Sequence, residues 1–147
     1  MCGAGDCDQK IWDLARRTGV ELAKNGITLL CGGLGGVMAA AAQGAKEGGG
    51  VTVGILPGSD PEEANPYIDV PLATGLGTAR NALIARAAQA IIALPGESGT
   101  LSEIALGLKM GLPVIGLSAW SHIKGVQVAS TPEQAAAMAC ACFDKYI

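Results

Sequence analysis

Two glycine-rich turns constrain this chain more than any other feature: Gly32-Gly33-Leu34-Gly35-Gly36 and Pro95-Gly96-Glu97-Ser98-Gly99-Thr100. Each follows a short continuous apolar run, Ile27 to Cys31 or Ala90 to Leu94, and each opens a segment of helical character, Val37 to Lys46 or Thr100 to Met110. Apolar runs of that length, bounded by glycine, read as buried strands. A strand that ends in a glycine turn and opens a helix presents backbone N–H groups and the positive end of a helix dipole, which is where phosphates bind.

The same alternation fills the rest of the chain. Helix periodicity runs from Gln9 to Asn25 and stops at Asn25-Gly26. Val51 to Leu56 reads as a strand after Gly48-Gly49-Gly50, and Ile68 to Leu72 as a short one. Thr78 to Ala88 reads as a helix, Pro113 to Leu117 as a strand and Val126 to Ala129 as an edge strand. A closing helix starts at Ser130 or Thr131, with Pro132 in its first turn. Asp60-Pro61-Glu62-Glu63 has the cap, proline and acids of a helix start rather than of a metal site. Strands alternating with helices predict an α/β fold, a parallel sheet with helices on both faces, over one domain spanning residues 1–147. On such a sheet both glycine turns fall on the carboxyl edge of the strands, where ligands bind. Neither turn carries the G-x-G-x-x-G dinucleotide fingerprint or the P-loop lysine.

Composition narrows the classes. Half of the 147 residues are hydrophobic but only 3% aromatic, so the core must be built from small and aliphatic side chains at close approach. A net charge of −3 with only 10 Lys and Arg argues against a nucleic-acid partner. No run is long and apolar enough for a bilayer and no leader opens the chain, so a cytoplasmic location is expected. The five cysteines lack metal-ligand spacing, and no metal site is expected. His122 reads as a surface residue.

Shifted by 64 positions the chain partly matches itself, with Gly32 on Gly96, Gly35 on Gly99, Val37 on Leu101 and Ala41 on Ala105; Ala39 then stands where the second copy has Glu103. The candidate site follows. Gly32, Gly33, Gly35, Gly36, Gly96, Ser98, Gly99 and Thr100 supply turns and N–H groups. Arg80 opens a helix whose dipole opposes its charge unless an anion lies nearby, and Thr78 and Asn81 flank it. Arg80 either grips a phosphate or reaches past the helix to a carboxylate. Glu103 either completes a Thr100-x-x-Glu103 capping box or faces the crevice as a carboxylate for a ribose hydroxyl, a water or a developing positive charge. Leu101, Ile104, Ala105 and Leu108 form the stripe expected to pack this helix on the sheet.

Pro95-Gly96-Glu97-Ser98-Gly99-Thr100-Leu101-Ser102-Glu103 resembles the P-G-G-x-G-T-x-x-E signature of the Lonely Guy (LOG) family, whose members have been labelled lysine decarboxylases. Gly32-Gly33-x-Gly35-Gly36-Val37-Met38, Gly54-Ile55-Leu56-Pro57-Gly58, Asn65-Pro66-Tyr67 and Thr78-Ala79-Arg80-Asn81 resemble the molybdenum-cofactor carrier branch more closely. The resemblance implies a three-layer Rossmann-like fold, homodimers or larger homo-oligomers, and a site for a nucleotide or a molybdopterin-type ligand, with no cofactor required for catalysis. In the hydrolase branch Arg80 and Glu103 would be the catalytic pair for cleaving the base–ribose bond of a nucleoside 5′-monophosphate; in the carrier branch the pocket holds its ligand without chemistry. True lysine decarboxylation is not expected, because Lys10, Lys24, Lys46, Lys109, Lys124 and Lys145 fall away from the glycine edge. Three departures stand out. Glu97 replaces the signature's second glycine, Asn81 replaces a lysine, and only Met1 to Gly5 precede the Asp6 turn where a first strand is expected, so that strand is shortened or supplied by residues absent here.

Overall fold

The computed structural model describes residues 1–143; Lys145 lies outside them. The chain runs α1 (Gln9–Lys24), β1 (Leu29–Cys31), α2 (Val37–Glu47), β2 (Thr52–Leu56), β3 (Val70–Ala73), α3 (Asn81–Ala87), β4 (Ile91–Ala93), α4 (Ser98–Lys109), β5 (Val114–Leu117), β6 (Gln127–Ala129) and α5 (Pro132–Cys140). Single 3-10 turns precede β3 (Pro61–Glu63) and α3 (Gly77–Arg80).

All strand pairings are parallel, in the orders β1-β2-β3 and β4-β5-β6. The N-terminal residues join the two sets. Cys2 pairs in parallel with Ala93, its N–H donating to Ile92 O and its carbonyl accepting from Leu94 N, both at 2.9 Å. On the other side the Met1 amino group donates to Leu30 O at 2.7 Å. The expected first strand is therefore present in shortened form between β1 and β4. This completes a Rossmann-like sheet with helices on both faces, and strand order reverses at that first strand.

Sequence explains the helix ends. Asp8 caps α1 by accepting from Ile11 N at 2.9 Å, and Gly26 takes a left-handed φ of 72° where the helix stops. Thr131 caps α5 by accepting from Gln134 N at 3.1 Å. Asp60 accepts from Glu62 N at 2.9 Å, so the acids of that loop belong to a helix start. The helix expected from Thr78 divides into the 3-10 turn and α3. The helix expected at Thr100 begins two residues earlier, at Ser98.

The largest helix contact, α1 on α2, is built from small residues. A Cβ at Gly19 would land on the Ala41 carbonyl oxygen, and one at Gly44 on the Arg16 carbonyl oxygen, so the two backbones lie nearly in contact. Ala15, Ala41, Ala42 and Ala45 are fully buried around them. The matching segment after the second glycine turn behaves differently. Val37 and Ala41 are buried in α2, but their counterparts Leu101 and Ala105 are exposed in α4. The expected stripe of Leu101, Ile104, Ala105 and Leu108 is thus corrected: the buried face of α4 is Thr100, Glu103, Ile104 and Gly107. That face carries polar groups because its first turns look into the cleft described below.

Between α2, β2 and β3, Asp69 ties three elements together. It accepts from Thr52 N at 3.0 Å and from Lys46 Nζ at 2.6 Å. The Lys46 ammonium, with the Thr52 N–H, holds the Asp69 carboxyl below its ordinary value of 3.8. An acid depressed in the native state contributes stability that is present above its unfolded pKa and lost as pH falls through the lower folded value. Asp69→Asn should therefore flatten the acid limb of urea-unfolding stability below pH 4 relative to wild type; an unchanged acid limb would refute this assignment.

Candidate functional site

At the carboxyl edge of the sheet, where strand order reverses, lies a cleft of about 640 Å³. That size suits a nucleotide or cofactor, and the position is the one where doubly wound sheets bind ligands. Its wall comprises the end of the first strand (Gly3 to Asp6), Leu34 and Met38 after β1, Pro57 after β2, Gly77 to Asn81 ahead of α3, and Glu97 to Thr100 with Glu103 on α4. Another hollow of about 470 Å³ lies at Asn25–Thr28, Gln89, Cys140 and Phe143, without the charged groups that converge on the cleft.

Arg80 is the cleft's one cation among the described residues and is only 9% exposed. Its Nη1 donates to Asn81 Oδ1. Its Nε is buried with no hydrogen-bond partner. Burial pulls the guanidinium below its ordinary pKa, opposed by the charge of Glu103. Gly32 is what lets the guanidinium sit there: a Cβ at that position would come within 2.6 Å of Arg80 Nη2.

Glu103 is 6% exposed. Because α4 starts at Ser98, Glu103 falls in its second turn, which overturns the capping-box geometry; the cap is Glu97, without a side-chain bond. Burial raises the Glu103 carboxyl, opposed by the amino terminus, by Arg80 and by a hydrogen bond from the Cys2 thiol. The Cys2 thiol is itself pushed far up by burial and by Glu103. An acid raised in the native state gives stability that is present below its unfolded value near 4.5 and lost as pH rises through the folded value. Glu103→Gln should accordingly be more stable than wild type at pH 7, with the difference vanishing below pH 4. Thermal unfolding across that range checks it, and a variant less stable at pH 7 would contradict the burial argument.

Around these two side chains the expected residues divide. Thr78, Arg80, Asn81, Ser98, Gly99, Thr100 and Glu103 share the cleft. Of the first glycine turn only Leu34, with Met38 beyond it, reaches the wall. Gly32 and Gly33 are buried, and Val37 N at the start of α2 donates to Ala4 O at 3.0 Å. Gly36 has φ 58°, and a Cβ there would strike Ala4 and Gly5, while one at Gly35 would come within 3.0 Å of Gly5 O. Gly96 packs beneath the Thr100 hydroxyl. The first turn thus accommodates the chain's own first strand, and the second turn opens onto the cleft. By helix geometry the first N–H groups of α4 have no intrahelical acceptor. Asp6, with Gly3 to Gly5 before it, Pro57 and Gly77, lines the wall without having been among the expected site residues. The missing-strand argument held the signal, since a strand at the switch point must end on the ligand edge. Three acids, Asp6, Glu97 and Glu103, face a single cation across the wall. His122 is exposed beside Trp120, with ring centroids 6.1 Å apart, and does not line the cleft.

Comparison with known proteins agrees with this architecture. An Archaeoglobus fulgidus protein of undescribed function is 44% identical over 135 residues, covering 92% of this chain and 89% of its own. The solved structure of the molybdenum cofactor carrier protein from Chlamydomonas reinhardtii superposes with a TM-score of 0.87 at 33% identity, over 97% of this chain and 94% of that one. The cytokinin riboside 5′-monophosphate phosphoribohydrolase of Mycobacterium tuberculosis is 31% identical over 136 residues, 86% of this chain and 72% of its own. The SLOG cluster4 family model matches residues 1–142, and the chain accordingly belongs to the SLOG cluster4 family.

Proposed function

We propose that this protein binds a small phosphorylated ligand, a nucleotide or a pterin-type cofactor, in the cleft and holds it in the manner of a carrier. One observation carries the reading: a guanidinium 9% exposed, its Nε without a partner, at a wall shared with the start of α4. A buried donor left unpaired costs roughly 1–3 kcal/mol, and an oxyanion in the cleft would relieve that cost. The residues present fit the phosphate end of a molybdopterin-type group: Arg80 and the N–H groups of Ser98 to Thr100 would hold it. Likeness to the Chlamydomonas carrier protein supports the carrier role.

A thermal-shift panel of nucleoside mono-, di- and triphosphates and pterin phosphates tests the proposal. A ligand at 100 times its dissociation constant adds about 2.7 kcal/mol, or roughly 5–10 °C in a domain of this size. Absence of any shift across the panel would contradict it.

Glu103 supports a second reading, hydrolysis of a nucleoside 5′-monophosphate. A buried carboxylate in the same cleft as Arg80 can orient water or stabilise an oxocarbenium-like state. Release of free base from AMP, abolished in Glu103→Ala, would favour the enzyme, whereas stoichiometric binding without turnover favours the carrier. Assembly into homo-oligomers is proposed through the exposed Leu83 of α3 and Leu101 of α4, and light scattering on the purified protein checks it.

A further inference from the structure

Ser102 lies on α4 next to the cleft but is not part of its wall. Its hydroxyl donates to Gly99 O at 2.6 Å, which fixes the hydrogen and leaves an oxygen lone pair directed elsewhere. Asn81 Nδ2 donates to that oxygen at 2.9 Å and reaches Gly99 O at 3.4 Å. The amide orientation is then determined chemically. A guanidinium has donors only, so the Asn81 oxygen must face Arg80 and its nitrogen must face α4. Asn81 is 7% exposed, and both ends of its side chain are engaged inside the protein. Sequence placed Asn81 among the groups that touch ligand; it lines the cleft, and its hydrogen bonds give it a further task there.

We propose that Ser102 and Asn81 form a positioning relay that sets the orientation of the Arg80 guanidinium at the cleft. Ser102 fixes the Asn81 amide, and Asn81 in turn holds Nη1, so that a side chain outside the wall governs the group that meets the anion. The relay rests on the reading of Arg80 as the anion-binding residue. It also accounts for a polar residue at position 102 on a helix whose neighbouring outer positions, Leu101 and Ala105, are apolar.

Two measurements on the 147-residue chain test it, one of them independent of any ligand. In ¹⁵N-arginine-labelled protein the Arg80 Nη1 hydrogens, one of them held by Asn81 Oδ1, should exchange slowly with water, and Asn81→Ala, which removes that acceptor, or Ser102→Ala, which frees its amide, should accelerate that exchange about tenfold or more, as expected for a lost buried hydrogen bond. Ser102→Thr keeps a hydroxyl able to bond Gly99 O and should retain the wild-type rate. For binding, AMP is the probe. Ser102→Ala should weaken it about five- to tenfold in the wild-type background and have no further effect in Asn81→Ala, the signature of coupled residues. Unchanged exchange in Ser102→Ala, or additive losses of affinity in the double variant, would overturn the relay. Failure of wild type to bind AMP would count against the nucleotide reading, while the exchange rates would still decide the relay.

Discussion

Arg80→Ala should reduce affinity for the phosphorylated ligand at least about 30-fold, because a charge-assisted hydrogen bond to an anion contributes roughly 2–3 kcal/mol. The same substitution removes the unpartnered Nε donor but also the Nη1 bond to Asn81 and the charge facing Glu103, so these effects offset and the melting temperature of the free protein should change by no more than a few degrees. That combination of lost binding with retained stability separates a ligand-binding arginine from a structural one. Arg80→Lys should recover only part of the affinity, because an ammonium keeps the charge but loses the planar fork. Titration calorimetry with AMP and thermal unfolding of the free variants check both halves. An Arg80→Ala protein that binds normally, or that unfolds many degrees earlier, would assign Arg80 to the fold.

Gly44→Val is expected to be the most damaging single change in the helical layer, destabilising by about 3 kcal/mol or more as backbone-level overpacking. A Cβ at Gly44 falls on the carbonyl oxygen of Arg16, and a backbone atom cannot rotate away as a side chain can. Gly19→Val should act similarly through Ala41 O. Gly49→Ala offers the contrast: nothing lies within 4 Å of a Cβ there, so its cost should come only from the positive φ of 78°. Urea unfolding of the three variants measures this order. A Gly44→Val protein of wild-type stability would show that α1 and α2 can separate without cost.

Element order was legible in the chain because the apolar runs of β1, β4 and β5 are continuous and each is fenced by glycine or proline. Boundaries were less so. The start of α4 is hidden because Thr100-x-x-Glu103 has the spacing of a cap, while the residue that caps, Glu97, makes no cap hydrogen bond with its side chain. Hydrophobicity alone also misassigned the face of α4: Leu101 and Ala105 are apolar yet exposed, and Glu103 is charged yet buried. The clustering of Arg80, Ser98, Gly99, Thr100 and Glu103 follows from two strand-to-helix junctions sharing one sheet edge, which sequence order supplies. The position of the first glycine turn does not. Its use by the chain's own residues 3–5 depends on a single strand bridge at Cys2, too short to leave a periodic pattern. Asn81 shows the same limit, since only the location of Ser102 reveals where its amide points.

The most direct test of the central claim is a crystal structure of the protein grown with AMP. A phosphate oxygen should lie about 3 Å from an Arg80 nitrogen, with the N–H groups of Ser98 to Thr100 on the same phosphate. Ligand bound at another surface, with Arg80 still tucked against Gly32 and its Nε still unpaired, would contradict it.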